Sequence, residues 1–289
     1  MSQVGPKWLP LIPGVIAVSW AAIIIRACNA PATTIAFYRM FFSALIILPF
    51  ALTIYRPRFG EFSTRTLALT ILSGILLGWH FYFWVASLDY TTISASVVLV
   101  TTQPVFVAIL AKIFLNERIG LRGSIAILLA IIGSALIAGF DFGVKKDYLV
   151  GDLLALAGAV MAGTYLFIGR AVRPTVSTFP YIFTVYSISA LTLGSILLVS
   201  GNLFELYPSF NYFYFILLAA IPTLIGHSLY NYTLKHVAAH KVGISIIGEP
   251  VLATIWGILI FKEIPRVMTV FGGAIIIFSL ILVFSQKGQ

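Results

Sequence analysis

Long apolar runs broken by short polar links dominate the chain. A helix needs about 20 apolar residues to cross a hydrocarbon core. Runs of that kind fall at 9–27, 33–55, 66–87, 92–115 and 121–140, then at 150–171, 178–200, 211–234, 241–261 and 267–285. The pattern predicts ten transmembrane helices in two groups of five. The most polar link, "DFGVKKD" from Asp141 to Asp147, separates the groups. It divides the chain into a first five-helix repeat, residues 1–146, and a second, residues 147–289.

Two of the runs share an unusual interior. "SIIGEPVLATIWGILIFKE", Ser245 to Glu263, sets Glu249 beside Pro250 deep in an apolar stretch. "VTTQPVFVAILAKIFLNE", Val100 to Glu117, has the same shape, with Gln103 before Pro104. An offset of 146 residues separates Pro104 from Pro250 and also Glu117 from Glu263, about half the 289-residue chain. Such spacing indicates duplication. Because each half holds an odd number of spans, the halves must insert in opposite senses, as an inverted repeat.

Composition agrees with membrane insertion. Apolar residues make up 60% of the chain and charged residues 9%, and mean hydropathy is +1.05. A soluble domain is about half apolar and a quarter charged, so the chain reads as an all-α integral membrane protein in contact with the lipid bilayer. The net charge of +9 comes from scattered basic residues that form no stripe for nucleic acid. Those residues instead set orientation: Lys and Arg fall twelve to five in favour of both termini being cytoplasmic, with Lys262 and Arg266 the main dissenters. The membrane expected is the inner or plasma membrane. Cys28 is the sole cysteine, which excludes an intrachain disulfide. "ACNA", Ala27 to Ala30, faintly resembles a cleavage site, but the preceding Arg26 and the length of the run favour a retained first span.

The paired stretches "SASVVLVTTQPVFVAILAKIFLNERIGLRGSIAILLAIIGSALI" and "HKVGISIIGEPVLATIWGILIFKEIPRVMTVFGGAIIIFSLILVF" resemble the two repeats of EamA-type carriers of the drug/metabolite transporter superfamily. The pair Tyr38-Arg39 in the second span adds to the resemblance. It implies ten helices and secondary transport of small solutes, a class that includes amino acids, nucleotide sugars, choline-like cations and drugs. The family pattern often has an acidic residue before both prolines. Gln103 departs from it, which argues against a symmetric pair of coupling carboxylates.

Chemistry concentrates near the two prolines. A mid-helix proline removes a hydrogen bond and loosens the carbonyl four residues back, here on Val100 and Ile246. Such helix breaks are tolerated where protein or a water-filled cavity satisfies the backbone. Glu249 is the coupling candidate; a cation ligand and a structural hydrogen-bond acceptor are its other readings. Arg39 either snorkels or pairs structurally, or binds a substrate carboxylate. His80 and Trp84 lie at helical spacing in "GWHFYFW", Gly78 to Trp84, with Trp79 and Tyr82 beside them. His227, Tyr230 and Asn231 share a face in "GHSLYNY", Gly226 to Tyr232. With Trp20, Tyr165 and Gln103, these residues are expected to wall a cavity that stacks on an apolar or cationic solute.

Other motifs change the picture little. GxxxG at Gly74 and Gly78, and small residues at Ala126, Ala130, Ser134, Ala138, Ala155, Ala159 and Gly163, favour close helix contact, within a subunit or in a homodimer. "HVAAH", His236 to His240, lacks a third ligand, so no metal is expected there. "NYT" at Asn231 is a glycosylation pattern buried in a span. With no phosphate loop or nucleophile elbow, no cofactor and no catalytic residues are expected.

These features predict a secondary transporter that exports a small metabolite, an amino acid or aromatic compound, by alternating access from a mid-membrane cavity. The alternatives are import or facilitated movement of a choline-like amine, and an intramembrane enzyme acting on a lipid-linked substrate.

Overall fold

The computed structural model describes residues 8–115, 146–203, 205–236 and 248–284, with parts of 121–136 and 242–246. Every regular element among the described residues is helical. Helices α1 (Leu11–Ser19) and α2 (Ala21–Ala27) meet at Trp20. They are followed by α3 (Ala32–Leu52), a 3-10 turn (Arg56–Glu61), α4 (Thr64–Tyr90), α5 (Ile93–Val100) and α6 (Gln103–Leu115). Beyond the central link come α7 (Lys146–Val172), α8 (Thr178–Val199), α9 (Ser209–Leu218), a π-helical segment (Ala219–His227), α10 (Ser228–Leu234), α11 (Gly248–Phe261) and α12 (Val267–Phe284). Among the described residues six rods are long and apolar enough to cross a membrane, and Leu11–Ala27, Gly248–Phe261 and Val267–Ser279 are shorter apolar helices. The expected span at 121–140, the Asp141–Asp147 link and most of "HVAAH" lie largely outside the described residues.

Local chemistry sets the helix ends and breaks. Ser63 starts α4 with a reciprocal capping box: its hydroxyl accepts from the Thr66 N–H at 3.2 Å, and its own N–H donates to Thr66 at 2.8 Å. Thr92 caps α5 by accepting from the Ala95 N–H. The chain breaks between α5 and α6 just before Pro104, as the proline predicts. Thr101 and Thr102 donate their hydroxyls to the carbonyls of Val98 and Leu99 at 2.9 and 2.7 Å, satisfying backbone groups at the break.

Glycines seat the long rods against each other. A Cβ on Gly74 would meet the Ile188 Cβ at 2.7 Å, and one on Gly78 would lie 3.3 Å from the Ser189 carbonyl. The GxxxG contact therefore joins α4 to α8 within one chain. At Gly163 a Cβ would fall 2.7 Å from the Gln103 carbonyl, which brings α7 onto the α5–α6 break.

Polar contacts close the bundle at both ends. At one end Arg26 donates to the Thr91 carbonyl at 3.0 Å and Thr91 donates to Asp152 at 3.0 Å. There too the Ile93 N–H donates to Glu263 at 2.7 Å. At the other end Ser177, ahead of α8, donates its hydroxyl to Glu61 at 2.8 Å, and Arg58 pairs with the same carboxylate at 3.1 Å. Arg173 is wholly buried beside them, donating to the carbonyls of Asn231 and Val176 and to Thr178.

Partial burial works against ionisation of Glu61, but the donors on Ser177 and Arg58 outweigh it and hold the carboxyl below its usual range. A depressed folded-state value contributes stability above the unfolded pKa of about 4.3, and that stability is lost as pH falls through the folded value. Glu61→Gln is therefore expected to melt below the wild type at pH 7. The two melting temperatures should converge as pH falls below the ordinary carboxylate range. Thermal unfolding in detergent across pH checks this; a difference independent of pH would contradict it.

Candidate functional site

The elements converge on a buried cavity within the bundle. Its walls are Val18 of α1; Leu77, His80 and Trp84 of α4; Val100 and Gln103 at the α5–α6 break; Ala162, Tyr165 and Leu166 of α7; His227 and Tyr230; and Ile246 with Glu249. Only about 20 Å³ of it admits the centre of a water molecule. A single water needs about 10–15 Å³ of such space. In this conformation the space holds a water or two, far less than a metabolite needs.

The wall mixes apolar surface with fixed polar groups. His80 Nδ1 lies 2.9 Å from the Gly158 carbonyl. A carbonyl only accepts, so Nδ1 carries the proton and Nε2 is left free to accept. The same ring lies parallel to Trp84, with centroids 6.0 Å apart. Among the described residues, Trp84 Nε1 and the Tyr230 hydroxyl have no hydrogen-bond partner. Tyr165 is held from behind by Asn231, whose amide donates to its hydroxyl at 2.6 Å and to the His227 carbonyl at 2.8 Å. Glu249 is 5% exposed, and no direct ion pair joins it to Arg39 among the described residues. Pro250 beside it and Pro104 at the facing break are both buried.

Seven residues singled out in the sequence therefore meet here: His80, Trp84, Gln103, Tyr165, His227, Tyr230 and Glu249. Five do not reach this wall. Asn231 stands behind Tyr165. Trp79 and Tyr82 pack edge to face with each other at 5.6 Å, half-buried on another side of α4. Trp20 stacks on Trp256 at 4.7 Å and lines a separate apolar groove with Ile24, Tyr214 and Leu217. Arg39 is 0% exposed, so it does not snorkel. Its Nε donates to the Thr223 hydroxyl at 2.7 Å, and its guanidinium carbon sits 4.0 Å from the Phe81 ring centroid.

The sequence pattern did not single out Phe81, Thr223 or the aliphatic part of the wall. One signal was available for Thr223. Pro222 lies inside a span, and the chain answers with the π-helical turn Ala219–His227, a distortion that often accompanies functional positions. No group of three or more His, Cys, Asp or Glu that could hold a metal occurs among the described residues.

The EamA-like transporter family pattern matches residues 8–139 and again 149–285. The chain is 22% identical over 262 residues to the pseudopaline exporter of Pseudomonas aeruginosa, covering 90% of this chain and 89% of that one. It is 25% identical to an S-adenosylmethionine uptake transporter of Rickettsia bellii, covering 88% and 84%. An uncharacterized transporter of Bacillus subtilis is 26% identical, covering 83% and 78%. A solved crystal structure superposes with a TM-score of 0.65 over 96% of this chain and 95% of its own, at 16% identity, which speaks for the fold alone. A bundle of apolar helices, two successive family matches and relatives that are named transporters lead to one conclusion: the chain belongs to the EamA-like transporter family, and it is a membrane transporter of small solutes, not an enzyme.

Proposed function

We propose that the protein exports an amino acid or aromatic metabolite by alternating access, exchanging it for protons at Glu249. The buried cavity, with a carboxylate and aromatic rings in its wall, carries this reading. Both bundle ends are latched, one through Thr91, Asp152 and Glu263, the other through Glu61, Ser177 and Arg58. Opening one latch at a time would expose the cavity to one side of the membrane, with the halves 1–146 and 147–289 acting as the two moving repeats.

Glu249 supports a direction. A single carboxylate that holds either a proton or the amino group of a solute, never both, couples the two in opposite senses. Protons entering the cell then drive solute out. The relative named a pseudopaline exporter favours this direction, while the relatives named S-adenosylmethionine uptake transporters favour the reverse. Orientation follows the basic residues: Arg56, Arg58, Arg65, Arg170, Arg173 and Lys235 gather at the Glu61 end, which is taken as cytoplasmic in a cell inner or plasma membrane.

Aromatic surface is the source of affinity in this proposal. Trp84→Ala and Tyr230→Ala are expected to weaken binding of phenylalanine several-fold, because an aromatic pair contributes about 0.5–1.5 kcal/mol beyond the area it buries. Phe278→Ala, on the exposed side of α12, is expected to leave binding unchanged. Calorimetry on purified protein checks this. Equal losses at all three positions would contradict the assignment of the wall.

A further inference from the structure

Resting on the cavity reading above, we infer that the solute is a zwitterion, with Arg39 taking its carboxylate and Glu249 its ammonium. The observation behind this is an incompletely paired cation. Arg39 is fully buried, and Nη1 and Nη2 have no hydrogen-bond partner among the described residues. Only Nε is used, on Thr223. A buried charged donor without a hydrogen-bond partner is costly, and the cation–π contact with Phe81 at 4.0 Å, with the longer-range attraction of Glu249, restores only part of that cost.

The arrangement suits a carboxylate in particular. Thr223 sits in the π-helical turn and accepts from Nε at 2.7 Å, while its hydroxyl donates to the Leu218 carbonyl at 3.0 Å. The guanidinium is thus fixed in its plane with the Nη edge unused, the edge that binds a carboxylate with two parallel bonds. Arg39 lies just behind the cavity wall: its guanidinium carbon is also 5.9 Å from the Trp84 ring, and Phe81 touches His227 at 5.4 Å. A shift of the Phe81 ring as the bundle opens would join the Nη edge to the cavity.

Selectivity follows from having two separated charges. An amine would bond Glu249 and leave the Arg39 Nη edge without hydrogen bonds; a carboxylic acid would do the reverse. An α-amino acid satisfies both. On this inference a choline-like amine, with no carboxylate for Arg39, is the poorer solute.

Three probes of one shape separate the roles: phenylalanine, phenethylamine and 3-phenylpropionate, with binding measured by calorimetry on purified protein. The wild type is expected to bind phenylalanine at least tenfold more tightly than the other two. Arg39→Gln should lose phenylalanine binding tenfold or more while phenethylamine binding holds or improves. Glu249→Gln should lose phenylalanine similarly while 3-phenylpropionate binding holds or improves. Thr223→Val, which removes the Nε anchor but keeps both charges, should weaken phenylalanine and leave phenethylamine unchanged, so the inference stays testable if Arg39→Gln does not fold. Wild type that binds all three probes alike, or an Arg39→Gln or Thr223→Val protein that binds phenylalanine normally, overturns the inference alone. Wild type that binds none of the three overturns the amino-acid reading and the inference with it.

Discussion

The Glu249→Gln protein is expected to fold, to reach the membrane, and to lose the response of solute flux to a pH gradient. Glutamine keeps the shape and most of the hydrogen-bonding capacity of the side chain, but it can neither release nor take up a proton. In the proposed exchange the carboxylate holds the proton on one half of the cycle and the solute's amino group on the other. Removing its charge removes both steps. A hydrogen bond to a charged group is worth about 1.5–3 kcal/mol, so amino-acid binding should fall about 10- to 100-fold. Gln103, at the facing helix break, shows that the fold accepts an amide beside a buried proline. The measurement is flux in sealed vesicles under an imposed pH gradient, paired with binding on the same preparation. Flux that still follows the gradient in Glu249→Gln would remove the coupling role.

The second large effect is steric. Gly163→Leu is expected to abolish binding and to lower the melting temperature by several degrees, through displacement of α7 from the α5–α6 break. Even a Cβ at this position would lie 2.7 Å from the Gln103 carbonyl and 2.8 Å from the Phe106 Cβ. One of these contacts is backbone at the cavity wall, so no side-chain rotation relieves it. Overpacking of this kind costs about 1–3 kcal/mol, occasionally more. Gly60 is the control: nothing lies within 4 Å of its would-be Cβ, and Gly60→Ala should behave as wild type. Thermal unfolding of both variants checks the contrast. A Gly163→Leu protein with wild-type stability would contradict the packing.

Particular residues show how much of this was legible in the sequence. Apolar run lengths gave the helical rods because a bilayer dictates span length directly. Pro104 announced the break between α5 and α6 because it lacks the N–H that a continuous helix needs. Helical spacing placed His80 with Trp84, and His227 with Tyr230, on shared faces, and those faces meet at the cavity. Spacing along one helix does not say which way that helix is turned. Trp79 and Tyr82 neighbour His80 in sequence and still point elsewhere, while Trp20 turns to Trp256 on α11. Arg39 illustrates the same limit: its partner Thr223 is 184 residues away on a π-helical turn, and only the tertiary packing brings them together.

The central claim is that the cavity carries an unaltered amino acid across the membrane. Its most direct test is purified protein in sealed liposomes, with radiolabelled phenylalanine on one side and a pH gradient imposed in either sense. The account predicts that label moves against the proton flow, reverses when the gradient is reversed, and is recovered chemically unchanged. Label that stays where it was placed under both gradients, while the same protein binds phenylalanine in solution, would contradict it.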